Sequence, residues 1–232
     1  MGCLRSISAD AADEYGFLVF RSSNPTKWPS GFELRPRQRI KLEAADLIEA
    51  VDSHERKLVL KGPGIEEVPP AEKFSASLSL LRSFLSLPDA VVKDVIPRGQ
   101  TLLSPANPLV IDVAKGGRQC LPAGESHELW QPGSQSDVVR GRLSAVGDST
   151  WITWDRGSST IPWPPGIPLV SGLEYTIEVP ALNVIRPFRV ILVPGLSGTK
   201  GLAASNVLLA NGCSMQAIRV LEALPAVSSP HN

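Results

Sequence analysis

The first part of the chain alternates short apolar runs with turn residues. Phe17–Phe20 is a continuous apolar run of strand length, and the segments 39–42 and 56–61 alternate apolar residues with basic or polar neighbours. Leu47-Ile48 lies between these two segments, and Asp52-Ser53-His54-Glu55 has the composition of a hairpin turn. Together they predict a small antiparallel sheet with one buried face.

The period of the apolar residues changes in the next element. Four of them recur at helical spacing: Phe74, Leu78, Leu81 and Leu85. Pro69-Pro70 opens this segment, Glu72 lies in its first turn and Pro88 stops it, so we predict a helix whose apolar stripe covers the open face of the sheet. The proline- and glycine-containing segment 92–108 is then predicted to be an interdomain linker.

Strand patterns return after the linker, with turn residues about every ten positions. The six predicted strands are 109–113, 127–131, 138–146, 151–154, 174–179 and 188–193. In the clearest of them, Tyr175, Ile177 and Val179 face one way and polar neighbours face the other. This rhythm is typical of an immunoglobulin-like β-sandwich.

The C-terminal pattern predicts a helical hairpin. Leu202–Leu209 and the segment after Ser214 have helical spacing, Asn211-Gly212 can supply a left-handed cap, and Ser214 can cap the second helix. The predicted fold class is therefore mainly β: a small antiparallel sheet plus a helix, then an immunoglobulin-like sandwich with a C-terminal helical hairpin. The predicted parts are a flexible leader (1–14), a small β domain with one helix (15–91), the linker (92–108), the sandwich with its hairpin (109–224) and a disordered tail (225–232).

The balance of charges and the short apolar runs argue against nucleic-acid binding and against a transmembrane span. The chain has 23 basic and 23 acidic residues, whereas a nucleic-acid-binding protein usually carries a basic excess on one face. Four basic residues do alternate along one segment, Arg35, Arg37, Arg39 and Lys41, and we interpret them as a solvated strand face. No apolar run approaches the roughly 20 residues that cross a bilayer, so no transmembrane span is predicted.

No cluster of catalytic side chains appears, so we predict a protein that is not an enzyme and has no cofactor and no metal site. The alternative is a small-ligand- or metal-binding domain or hydrolase centred on Glu125, His127 and Glu128, where a histidine lies among acids. A further alternative places a nucleotide at the glycine-rich segment 195–201. The spacing of this segment differs from that of a phosphate-binding loop, which favours a connector.

The cysteines leave several interpretations open. Met1-Gly2-Cys3 fits a frayed cytosolic terminus, an N-myristoylation site, or a bacterial lipoprotein signal whose upstream part is missing, with Cys3 as the lipidated residue. The first fourteen residues contain no intact signal peptide. Cys120 and Cys213 are either a disulfide or two buried thiols.

An aromatic segment rich in proline is the strongest candidate for a binding surface. Trp163 lies between prolines at 161–168, which restrict the backbone and lower the entropic cost of binding. Trp151 and Trp154 lie on opposite faces of one predicted strand, so one can be buried while the other is exposed. We predict a protein-binding site at Trp163, Trp154 and Pro164. The alternative for Trp163 is a plug at the end of the sandwich.

Short motifs in the second half resemble those of uncharacterised bacterial envelope proteins. They are Cys120-Leu121-Pro122-Ala123-Gly124, Leu129-Trp130, Trp163-Pro164, Gly172-Leu173-Glu174-Tyr175, Gly212-Cys213 and Gln216-Ala217. The segment Leu58–Pro63 resembles the strand repeats of periplasmic FecR-type sensor domains. The resemblance implies an exported β-rich module with a Cys120–Cys213 bridge. We therefore expect a non-enzymatic periplasmic or envelope protein that binds another envelope protein or senses the envelope, with a cytoplasmic location as the alternative and membrane contact only if Cys3 is lipidated.

Overall fold

The computed structural model describes residues 16–71, 73–86, 105–133 and 136–227. In these residues the protein is mainly β, with 38% strand and 17% helix, several mixed sheets and three helices, so the predicted mainly β class is confirmed. Several predicted features lie outside the described residues: the leader 1–14 with Cys3, Glu72 and Pro88 of the predicted helix, residues 92–104 of the linker, and residues 228–232 of the tail.

Five strands form the first sheet. They are β1 (Phe17–Ser22), β2 (Glu33–Leu34), β4 (Leu47–Val51), β5 (Lys57–Lys61) and β15 (Ala226–Val227). The order is β15-β5-β4-β1-β2, in which β15 is parallel to β5 and the other neighbours are antiparallel. The predicted turn at 52–55 joins β4 to β5.

The segment around Ile40 pairs outside this sheet. It forms β3 (Arg39–Leu42), which is antiparallel to β6 (Gly64–Glu67), a strand that the sequence pattern did not indicate. The backbone at Gly62, between β5 and β6, lies very close to the backbone of Glu43. A Cβ atom on residue 62 would overlap the carbonyl oxygen of Glu43, so only glycine fits there. Ile40 still reaches the core of the first sheet, and the four basic side chains of this region are exposed.

Helix α1 (Ala76–Leu85) begins later than predicted. Ser75 caps it by accepting a hydrogen bond from the backbone N–H of Leu78 (3.2 Å). Residues 73 and 74, directly before Ser75, are not helical, and Ser53 donates to the carbonyl oxygen of Lys73. Leu78, Leu81 and Leu85 are buried, as the helical spacing predicts.

Eight strands make up the second β part. They are β7 (Ile111–Asp112), β8 (Gly117–Pro122), β9 (Glu128–Trp130), β10 (Val139–Ala145), β11 (Asp148–Trp154), β12 (Thr160–Pro162), β13 (Glu174–Val179) and β14 (Val184–Val193). One sheet has the order β11-β10-β13-β14-β8 and the other has the order β12-β9-β7. Both sheets are mixed, because β8 is parallel to β14 and β7 is parallel to β9. Their inward-facing side chains share one hydrophobic core.

The C-terminal helices form the predicted hairpin. Helix α2 (Gly201–Ala210) and helix α3 (Ser214–Glu222) flank Gly212, whose φ of +74° lies in the left-handed region. The N–H of Cys213 donates to the carbonyl oxygen of Leu208 (2.8 Å), which completes the predicted glycine cap. Cys213, and not Ser214, is the residue that precedes α3.

The hairpin shares a core with both β parts. Leu18 and Val51 of the first sheet pack in the same hydrophobic cluster as Leu208 and Leu221 of the hairpin and Val193 of β14. Leu78, Leu81 and Leu85 of α1 belong to this cluster too. The helices therefore form a layer between the first sheet and the five-stranded sheet.

A buried disulfide joins Cys120 of β8 to Cys213, with 6.0 Å between the two Cα atoms. The predicted bridge is thus present. Next to it, the N–H of Cys120 donates to Oε1 of Gln216 (2.6 Å), and Nε2 of Gln216 donates to the carbonyl oxygen of Cys120 (2.9 Å). Helix α3 is therefore tied covalently and by hydrogen bonds to β8.

Part of the segment predicted to be a disordered tail is ordered. Ala226 and Val227 form β15, and the N–H of Lys57 donates to the carbonyl oxygen of Pro225 (2.8 Å). A two-residue strand has no alternation to detect, so the local pattern could not predict it. None of the helices within the described ranges is long and apolar enough to cross a membrane.

Candidate functional site

Trp163 and Pro164 directly follow β12 and lead into a turn, and Trp163 packs against the core of the second β part. The indole Nε1 of Trp163 donates to the carbonyl oxygen of Ile167 (2.6 Å), and its backbone N–H donates to that of His127 (2.8 Å). The ring meets Tyr175 edge-on, with 5.1 Å between centroids. Both Trp163 and Pro164 are half-buried. Most of the indole therefore supports the core, and only part of it is open to a partner.

Trp151 and Trp154 have opposite environments, as their spacing predicts. Trp154 is fully buried, and its Nε1 donates to the carbonyl oxygen of Leu129 in the facing sheet (3.2 Å). Its side chain therefore belongs to the core and not to a surface. Trp151 is 71% exposed on the other side of β11.

Trp151 begins a row of four exposed side chains that crosses the five-stranded sheet. The register places Trp151 opposite Arg142, Arg142 opposite Glu178, and Glu178 opposite Ile185. We call the exposed side of β11, β10, β13 and the start of β14 the outer face. Ile185 is 63% exposed, so the row has an apolar residue at each end and charges in the middle. Towards β8, the same side of the sheet is covered by the hairpin, which packs on Ile191 and Val193.

The turn between β10 and β11 adds an exposed apolar residue beside this face. Val146 has a φ of +42° and is 79% exposed. A β-branched residue in the left-handed region is strained, and strained residues are concentrated at functional sites. A shallow depression of about 240 Å³ lies next to the turn, lined partly by Arg142, Ser149 and Thr176.

The residues of the predicted acidic site lie at or just before the start of β9. Glu125 and Glu128 are exposed and His127 is half-buried. Burial lowers the pKa of His127, and the negative charge of Glu125 opposes this effect. Within the described residues, no group of three or more histidine, cysteine, aspartate or glutamate side chains is arranged to hold a metal ion.

The glycine-rich segment 195–201 ends at the N-terminus of α2, which already carries an anionic side chain. The N–H of Leu202 donates to Oε1 of Glu55, which comes from the turn between β4 and β5 (2.9 Å). Gly201 has a φ of +57°, and a Cβ atom there would overlap the Glu55 carboxylate. Glu55 therefore satisfies one of the amides that a phosphate would need.

A cleft of about 490 Å³ opens beside this contact. Its apolar lining includes Leu109, Pro122, Leu196, Val220 and Leu224, and its charged lining is Glu55, Glu125 and Lys200. These residues come from five separate segments of the chain, so no local motif could have indicated the cleft. Its size is in the range of ligand pockets.

Comparisons with protein-family models, curated proteins and solved structures found no match to this chain. The functional argument therefore rests on the geometry of these surfaces.

Proposed function

We propose that the protein is a non-enzymatic envelope module that binds another envelope protein through its outer face. The observation that carries this proposal is the 71% exposure of Trp151 in a row with Arg142. Tryptophan and arginine are the residue types most often responsible for binding energy at protein interfaces, because they bury a large surface and also form directed polar contacts. Trp151 projects from β11 and Arg142 from β10, two strands that are hydrogen-bonded to each other, so little backbone entropy is lost on binding.

The disulfide supports an envelope location. Disulfides persist in oxidising compartments such as the bacterial periplasm and are rare in the cytosol. The mass of the intact protein from native membrane and soluble fractions, measured without reductant, tests this location. We expect the two-hydrogen loss of the Cys120–Cys213 bridge, and an acyl addition if Cys3 is lipidated. Three free thiols in a soluble fraction would contradict the envelope proposal.

Within this proposal the second β part is an immunoglobulin-like sandwich. Two sheets pack around one core, and Tyr175 lies near the start of β13. Its hydroxyl donates to the carbonyl oxygen of Pro168 (2.9 Å) and accepts from the N–H of Val170 (2.7 Å). A tyrosine that binds the backbone a few residues upstream in this way is a hallmark of such sandwiches.

Site-specific photo-cross-linking tests the outer face. A benzophenone amino acid is placed at Trp151 or, as a matched control, at Ile65, which is 64% exposed on β6. In the native envelope we expect position 151 to cross-link to a defined protein that position 65 does not reach. Trp151→Ala should then weaken capture of that protein, whereas Ile65→Ala should not. Equal cross-linking from the two positions would contradict the proposal.

The second candidate function is small-ligand binding, a role favoured by the position of Glu125 at the cleft. An apolar lining with few charges suits an amphipathic ligand. Titration with the fluorescent probe N-phenylnaphthylamine should show saturable binding that Val220→Arg, at the cleft wall, abolishes. A metal-binding or hydrolytic version centred on Glu125, His127 and Glu128 additionally requires stoichiometric metal that is lost in His127→Ala.

A further inference from the structure

Strand β11 has one side that no strand of the described ranges pairs with. Among the residues that the structure describes, it is the end strand of its sheet and pairs only with β10, over seven consecutive residue pairs and without a register shift. The turn that joins them has two residues, Val146 and Gly147, with φ values of +42° and +88°. This is the geometry of a tight hairpin, in which the residues that flank the turn form a hydrogen-bonded pair.

The pairing pattern defines which backbone groups face the open edge. Hydrogen-bonded pairs alternate along an antiparallel ladder, starting here from Ala145 and Asp148. Asp148, Thr150, Ile152 and Trp154 therefore bond to β10. Ser149, Trp151 and Thr153 point their N–H and C=O groups away from β10, and within the described ranges no third strand pairs with them.

At the opposite edge of the same sheet, a side chain binds the backbone of the edge strand. There, the side-chain amide of Gln216 bonds to both backbone groups of Cys120 on β8. Natural edges are also protected by bulges, lysine or proline. β11 has no bulge, lysine or proline: its sequence is Asp-Ser-Thr-Trp-Ile-Thr-Trp, its ladder with β10 is regular, and its one charged residue, Asp148, lies at its start, away from Trp151 and Thr153.

Two basic side chains, Arg140 and Arg142, lie on the exposed side of β10 next to the open edge. Nη2 of Arg142 donates to Oγ of Ser149 (2.9 Å), so this guanidinium group leans over β11 towards the edge. Arg140 lies opposite Thr153 on the same exposed side. Within the described part of the chain neither arginine forms an ion pair. Glu178 lies opposite Arg142 on the side away from the edge, and Asp148 and Glu174 line the same depression as Arg142. A strand added at β11 would therefore place its outward side chains near two positive charges.

We propose that β11 is an acceptor edge for an extended, acidic segment of the partner protein, which adds to the sheet as a sixth strand. This inference rests on the proposed binding function of the outer face and specifies its mode. Backbone hydrogen bonds to Ser149, Trp151 and Thr153 supply affinity, and the arginines select acidic side chains. A second copy of the chain fits less well, because antiparallel pairing of two β11 strands brings four arginines onto one surface.

A random twelve-residue peptide library displayed on phage tests this proposal against the intact, disulfide-bonded protein. We expect enriched peptides with alternating residues that include glutamate or aspartate. Thr153→Pro removes one edge-facing N–H without removing a bond to β10, so it should weaken binding of the best peptide about tenfold. Thr153→Val keeps the N–H and should leave affinity within about twofold. Replacing the acids of the peptide by lysine should abolish binding.

Amide exchange in the unsubstituted protein gives a second readout, in case Thr153→Pro does not fold. Bound peptide should slow hydrogen exchange at the N–H groups of Ser149, Trp151 and Thr153. A peptide whose binding is lost in Trp151→Ala, but which does not slow exchange at these N–H groups, would overturn the proposal that it adds as a strand at β11. Such a result would still agree with binding at the outer face. No enriched peptide, or a dimer of the protein that Thr153→Pro dissociates, would also overturn the inference. Cross-linking from position 151 tests the outer face independently.

Discussion

Glu55 and Gly201 show at the residue scale how two distant positions depend on each other. The Glu55 carboxylate caps α2 through the N–H of Leu202, whereas Lys200, which precedes the helix, supplies no side-chain cap. The carboxylate can approach only because residue 201 has no Cβ atom. A negative charge at a helix N-terminus is also favoured by the helix dipole.

Gly201→Ala should lower the free energy of unfolding by about 2–4 kcal/mol, because it combines left-handed strain with loss of the Glu55 cap. Gly195→Ala is the matched control: its φ is +76°, but no atom lies within 4 Å of the added Cβ. That control should cost only about 1–2 kcal/mol. Urea unfolding measures both changes. In a Glu55→Ala background, Gly201→Ala and Gly195→Ala should lower the free energy of unfolding by the same amount. If Gly201→Ala were still the more destabilising of the two, the role of Glu55 as a cap would be contradicted.

The carboxyl group of Glu222 makes the stability of the protein depend on pH. Burial raises its pKa above the ordinary value of 4.5; attraction to Arg21 opposes the rise, and the charge of Glu49 adds to it. Arg21 contacts both carboxylates. The folded protein therefore binds this proton more tightly than the unfolded chain does. This tighter proton binding adds to the free energy of unfolding. The added free energy is fully present below pH 4.5 and is lost as the pH rises through the raised pKa of Glu222.

Glu222→Gln keeps an oxygen acceptor for Arg21 but cannot ionise. Compared with the natural protein, this variant should gain stability as the pH rises from about 4 to 7. Urea midpoints over that range measure the difference. Glu43→Gln, at an exposed position, serves as the control and should show no such trend. A constant difference between the Glu222 variant and the natural protein would mean that this proton is not held more tightly in the folded state.

At the element scale, the two edge strands of the five-stranded sheet, β8 and β11, differ in how their outward backbone groups are satisfied. β8 is buried on both faces from Gln119 onward, so it lacks the alternation that identifies a strand in sequence. Its edge is completed by a side chain of α3, 96 residues away along the chain. β11 alternates between exposed and buried residues towards its end and keeps an open edge.

Gln216→Leu should destabilise the protein by about 2–4 kcal/mol, because it leaves the buried N–H and C=O of Cys120 without their partner. Amide exchange at Cys120 should accelerate more than exchange elsewhere in β8. Met215→Leu, at the half-buried neighbouring position, should change stability by less than about 0.5 kcal/mol. Comparable losses in the two variants would show that Gln216 contributes by packing alone.

At the scale of the whole molecule, the hairpin layer couples the two β parts. Side chains of the first sheet, of α1, α2 and α3 and of β14 share one cluster, and β15 returns the segment after α3 to the first sheet. Because both β parts contribute side chains to this core, unfolding of either part exposes the core of the other part as well. This arrangement predicts cooperative unfolding.

Calorimetry of the oxidised protein should show a single transition, with matching calorimetric and van't Hoff enthalpies. Replacing Cys120 and Cys213 together by alanine removes a cross-link between residues 93 positions apart and should cost about 4–5 kcal/mol without splitting the transition. The natural protein in reductant should match this variant. Two separate transitions would show that the β parts unfold independently.

The sequence alone determined the features that depend on neighbouring residues. The glycine cap of the hairpin, the alternation of Tyr175, Ile177 and Val179, and the opposite faces of Trp151 and Trp154 follow from backbone periodicity and turn chemistry. The cysteine count indicated a possible bridge but left open two buried thiols. Only the fold, which brings Cys120 and Cys213 together, distinguished these alternatives.

Tertiary structure decided every feature that joins distant segments. Which tryptophan is exposed depended on the sheet that packs over Trp154, and the cap of α2 depended on a turn 147 residues earlier. β15, the cleft and the open edge of β11 likewise arise from contacts between separate segments. The physical reason is that periodicity reports which side of an element is apolar, whereas the neighbour that covers that side is selected by packing of the whole chain.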